Sequence, residues 1–94
     1  MTLPGAVQAE TVGRLEAFRA WEAVRQEALD LIRRSGGDER WLPTFVWEAR
    51  HSLACAYHGA RRLRTPEGRR RKVERALREW GPVLREYSGK KGAA

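Results

Sequence analysis

Nine basic side chains lie between positions 61 and 78: Arg61, Arg62, Arg64, Arg69, Arg70, Arg71, Lys72, Arg75 and Arg78. The chemistry open to such a tract is anion recognition. An arginine guanidinium is a planar fork that can donate to two phosphate oxygens at once and stack on flat rings. The charge is unevenly placed along the chain. Residues 1–60 carry seven basic and eight acidic side chains, whereas residues 61–94 carry twelve basic and four acidic. A concentration of this kind sets up a positive potential that attracts polyanions. The competing explanation is a solvent face that neutralises itself. Glu67 with Arg71, Glu74 with Arg78, and Arg70 with Glu74 all stand four residues apart, the spacing of helical ion pairs. Those pairs leave Arg61, Arg62, Arg64, Arg69, Lys72 and Arg75 without an obvious partner.

A second group is His51, Cys55 and His58, at i, i+4 and i+7. On a helix these fall on one face, and imidazole and thiolate ligands at that spacing can touch one metal ion. No fourth ligand is apparent, and the neighbouring arginines oppose a cation, so neither a metal nor any other cofactor is expected. Nucleophilic catalysis by Cys55 would need a base and a group to orient it. No third residue is placed to serve, and no enzyme activity is expected. Trp47 shares this outer face with His51 and His58. An exposed Trp beside His and Arg can stack on bases or anchor a protein interface. Trp47, His51 and His58 are therefore the candidate interface residues, either with a protein partner or in a homodimer.

The elements that position these groups are all helical. Ala17, Phe18, Trp21, Val24, Ala28, Leu31 and Ile32 recur at spacings of three and four, which predicts an amphipathic helix from about Thr11 to Arg34. Thr11 is its expected N-cap and Gly36-Gly37 its stop. Arg25 lies at the edge of that stripe. Asp38 is expected to cap a single turn through Trp41, with Trp41 closing the loop. Pro43 is placed in the first turn of a second helix reaching Arg64, whose apolar face is Phe45, Ala49, Ser52, Leu53, Ala56, Tyr57, Ala60 and Leu63. Its small residues allow close approach of a neighbouring backbone. Thr65-Pro66-Glu67 combines a capping hydroxyl, a proline at N1 and an early carboxylate, and so predicts a third helix beginning at Pro66. The stripe of Val73, Ala76, Leu77, Trp80, Leu84 and Tyr87 stays in phase across Gly81-Pro82, which predicts a kink there.

The expected fold is an all-α, antiparallel three-helix bundle with a long first helix and a kinked third. It forms one domain over 1–94, with frayed termini at 1–10 and 88–94. A single cysteine excludes an intramolecular disulfide. Met1 to Glu10 lack the pattern of a secretory leader, and no apolar run reaches membrane-spanning length. A cytoplasmic, non-membrane protein is expected. Sixteen arginines against three lysines, with no asparagine, fit either a GC-rich genome or a hot-living source.

The function expected from these features is nucleic-acid binding, to DNA or RNA, through the phosphate backbone. Leu63-Arg64-Thr65-Pro66 can serve as the turn of a helix-turn-helix, with Arg69, Arg70 and Lys72 near the start of the reading helix. That helix lacks the Gln, Asn or Ser residues that supplement Arg in base readout, so little sequence preference is expected. The alternative is a helical adaptor or assembly subunit that meets only protein.

Overall fold

The computed structural model describes residues 5–36 and 42–93, with side chains for 11–36 and 42–89. Three helices make up the fold: α1 (Gly5–Arg34), α2 (Thr44–Ala60) and α3 (Pro66–Ala93). The expected cap and loop residues Gly37, Asp38 and Trp41 lie outside the described residues.

The helices run in alternating directions. Arg50, early in α2, donates from Nε to the carbonyl of Ile32 at the end of α1 (3.0 Å), whereas Tyr57, late in α2, stacks with Trp21 further back along α1. Gly59, at the end of α2, lies against Lys72 near the start of α3. Phe45, at the start of α2, shares a groove with Val83 and Tyr87. Each consecutive pair is thus antiparallel, and α1 and α3 run the same way.

One core joins them. Trp21, Ala28 and Leu31 enter it from α1, Val46, Ala49, Leu53 and Ala60 from α2, and Val73, Ala76, Leu77 and Leu84 from α3. Leu53, Leu84, Val46 and Val73 are fully buried, each contributing roughly 1.5–3 kcal/mol of apolar burial. The stripe expected on α3 is the stripe that is buried. On α2, Ala49, Leu53 and Ala60 of the expected face are buried and Ala56 and Tyr57 pack against the core, but Val46 enters it in place of Phe45, which stays 59% exposed, and Leu63 lies at the surface. Val46 precedes Ala49 by three residues and Phe45 precedes it by four, so either one extends the same stripe at helical spacing. Contact with two neighbouring helices selects between them.

The helix ends show why the boundaries fall where they do. α1 begins at Gly5, so Thr11 lies inside it rather than capping it. Its C-terminus is closed by Ser35, a buried residue whose hydroxyl donates to the carbonyls of Leu31 (2.6 Å) and Ile32 (3.3 Å). Together with Arg50 this satisfies carbonyls that helix termination leaves without partners. Gly36 follows where a Cβ would meet the carbonyl oxygen of Arg33 at 3.0 Å. Pro43 is the N-cap of α2, with φ −56° and ψ 146°, and Thr44 is the first helical residue.

α2 stops at Ala60, short of Arg64. Arg62 and Leu63 donate back to the carbonyls of Gly59 (3.2 Å) and Ala60 (2.9 Å), a tightening to i→i−3 bonds. Pro66 disfavours helical geometry at the residue before it, so the chain must leave the helix before Thr65. The Thr65 hydroxyl then accepts from the Gly68 N–H (3.1 Å), and its carbonyl accepts from Arg69 N–H (3.1 Å). This is the predicted N-cap. α3 continues through Pro82 to Ala93, and Ser88 is buried, so helix replaces the frayed tail expected over much of 88–94.

The bundle is staggered. Its extents are 59 × 26 × 18 Å and its radius of gyration is 16.9 Å, against roughly 12 Å for a compact domain of this length. Arg69, three residues into α3, lines the same groove as Trp21, sixteen residues into α1. Among the described residues, the part of α1 before Trp21 therefore runs past the α2–α3 turn with no helix beside it. Val12 (52%), Leu15 (47%) and Phe18 (49%) are exposed as a result.

Candidate nucleic-acid interface

The basic tract occupies the end of the bundle where α2 passes into α3, and packing divides it. Arg61, Arg62 and Arg64 are exposed on the turn. Arg71, Arg75 and Arg78 are exposed at i, i+4 and i+7 on α3, a single stripe on the side away from the core. Arg71 donates from Nε to the carbonyl of Glu67 (3.4 Å) rather than pairing with its carboxylate.

Of the remaining three, Arg69 and Arg70 are half-buried and Lys72 is exposed. Lys72 lies across Gly59, where an added Cβ would meet Lys72 Cε at 2.7 Å. The Nε of Arg70 is buried without a hydrogen bond and stands 3.9 Å from Glu74 Oε1, close enough for charge attraction but not for a hydrogen bond. Arg69 donates from Nε to the carbonyl of Leu63 (2.8 Å), satisfying an acceptor freed by the turn. The three cations that a reading helix would present near its N-terminus thus make contacts within the protein. Of the three ion pairs allowed by spacing, Arg70–Glu74 is the one formed among the described residues.

The stagger builds a groove that the sequence did not reveal. It encloses about 590 Å³ between α1 and the α2–α3 turn. Phe18, Trp21 and Tyr57 supply its aromatic surface, Arg25, Arg61 and Arg69 its positive charge, and Glu22 its one carboxylate. Trp21 and Tyr57 are stacked at 6.4 Å with planes 16° apart. Arg25 Nη1 lies 3.4 Å from Glu22 Oε2, which leaves Arg61 and Arg69 as the charges that no carboxylate in the groove balances. Arg61 and Arg69 belong to the predicted tract, whereas Arg25 comes from the edge of the α1 stripe. The aromatic members read as core positions in the sequence, and only the overhang of α1 leaves Phe18 uncovered.

Trp47, His51 and His58 are exposed on α2. Trp47 and His51 stack at 5.0 Å with planes 9° apart, and His58 meets the edge of Tyr57 at 5.5 Å. Trp47 and His51 also line a shallow cleft of about 290 Å³ with Ile32, Arg50 and Ala54. Thirteen residues separate Trp47 from Ala60, so this cleft stands about 20 Å along α2 from the basic turn. Cys55 is exposed, with Sγ 3.5 Å from His51 Nε2. Among the described residues, no three His, Cys, Asp or Glu side chains are grouped to hold a metal ion. No helix among them is long and apolar enough to cross a membrane.

No known family, curated protein or solved structure matches the chain. Away from the groove, Asp30 stands close to the last turn of α1 beside two arginines. Hydrogen bonds from Arg34 and then Arg33, both at 3.0 Å, hold its carboxyl below the ordinary carboxylate range.

Proposed function

We propose that this chain is a small accessory protein that binds nucleic acid by its phosphate backbone, using the arginines around the α2–α3 turn. The observation that carries this reading is the scarcity of internal neutralisation. Among the described residues, Arg70 alone of the nine basic side chains in the tract forms an ion pair. A salt-laced face would have used the acidic residues that spacing provides. Exposed arginines on the turn and on the outer stripe of α3 suit a curved polyanion better than a flat array, and readout of base sequence is not expected. A cytoplasmic location belongs to the same proposal and is supported by the lone cysteine.

The test is a fluorescence-anisotropy titration with labelled single-stranded RNA and duplex DNA at several salt concentrations. Engagement of four to six phosphates gives a log–log salt slope of roughly −3 to −5. Failure to bind either ligand at low salt overturns the reading.

The stacked and exposed Trp47–His51 pair supports a second reading, a helical adaptor that acts through protein contacts alone. Tryptophan is enriched among residues that dominate binding energy at interfaces. Under this reading Trp47→Ala abolishes assembly in sedimentation-velocity runs, whereas changes in the arginine tract leave it intact.

A further inference from the structure

The groove beside α1 differs from the outer arginine stripe in having rings as well as charge. We propose that it is a slot for an unpaired nucleotide, with the base against Phe18 and the phosphate held by Arg61 and Arg69. The consequence is a preference for single-stranded over duplex nucleic acid. The inference rests on the nucleic-acid reading and names the ligand form that the groove selects.

Three features support it. The volume, about 590 Å³, lies within the range of roughly 300–1,000 Å³ typical of small-ligand sites. Phe18 is large, apolar and 49% exposed, and it lines the groove together with Trp21 and Tyr57, which stack on each other. Aromatic side chains in positively charged grooves are how sequence-tolerant single-strand binders hold bases, because every base offers a π-face. Finally, Arg69 is anchored through Nε to the Leu63 carbonyl. Its terminal nitrogens have no partner among the described residues, and a guanidinium already held in place loses less freedom on binding phosphate. Arg61 likewise makes no side-chain hydrogen bond or ion pair there. The carboxylate of Glu22 is engaged by Arg25 at 3.4 Å, which reduces its opposition to an anion.

A duplex keeps its bases stacked inside and offers the slot only phosphates. A single strand can offer both groups. Selectivity therefore comes from the ring, and charge is common to both ligands.

The test titrates the full chain with a labelled twelve-nucleotide oligo(dT) and with a hairpin duplex of matched phosphate number, at one salt concentration. Wild type is expected to favour oligo(dT) by about tenfold, a value in the lower part of the range for one stacked base. Phe18→Ala should remove that preference while leaving duplex affinity unchanged, and Phe18→Trp should retain it. Unchanged circular dichroism in both variants shows that folding is not the cause. Equal affinity of wild type for the two ligands, or single-strand binding unaffected by Phe18→Ala, overturns the slot while backbone binding stands. Absence of binding to both ligands overturns the slot together with the function it rests on. Poly-glutamate binding that is lost in Phe18→Ala would assign the groove to an acidic protein and overturn the nucleotide assignment.

Discussion

Single residues in this protein often act through the backbone they satisfy. Ser35 and Arg50 accept no role from periodicity, yet they close the C-terminus of α1 by donating to the carbonyls of Leu31 and Ile32. Arg69 does the same for Leu63 while remaining a groove residue. Asp30 links two arginines to the response of the fold to acid. Its carboxylate is held by Arg34 and Arg33, so its pKa in the folded state lies below its unfolded value. The unfolded chain then takes up the proton first as pH falls. The stabilisation is present above the ordinary carboxylate pKa of about 3.9 and is lost as pH drops through the lower folded value. Urea melts from pH 6 to pH 2.5 should show an acid limb that is shallower in Asp30→Asn. An identical limb in the variant would remove Asp30 from the acid response.

At the scale of elements, the α2–α3 turn was the most legible part of the sequence and the first turn of α2 the least. Thr65-Pro66-Glu67 states a helix start through local chemistry: a hydroxyl within reach of the Gly68 N–H, a proline where no donor is needed, and a carboxylate at the positive end of the helix. No distant contact is required to read it. Thr65→Ala should cost about 1 kcal/mol in a denaturant titration, and Thr65→Ser should restore most of that. The start of the α2 face is a different kind of problem. Phe45 and Val46 each begin a stripe of correct period, and nothing local ranks one above the other. The structure buries Val46 and exposes Phe45, because α2 must face both α1 and α3 at once.

At the scale of the whole molecule, the stagger is decisive. It lengthens the bundle to 59 Å, strips the early part of α1 of neighbours and opens the groove that holds Arg25, Arg61 and Arg69. Two leucines of one helix measure the effect. Leu31 is 3% exposed within the core, and Leu15 is 47% exposed on the overhang. Leu31→Ala should destabilise the fold by about 3 kcal/mol, whereas Leu15→Ala should change stability by less than about 0.5 kcal/mol. Comparable losses at both positions would mean that a further surface covers the overhang in solution.

The sequence by itself determined the helical class, the three-helix count, the buried stripe of α3 and its capped start. It also located the block of positive charge. Each of these follows from period, local hydrogen bonding or composition, which a chain carries before it folds. Tertiary structure alone decided the axial offset of α1 against α3, and with it which arginines face outward and which line the groove beside Phe18. A helix can slide along its neighbour by a turn and keep its apolar stripe buried, so periodicity is nearly silent about offset. The packing of all three helices against one another sets it.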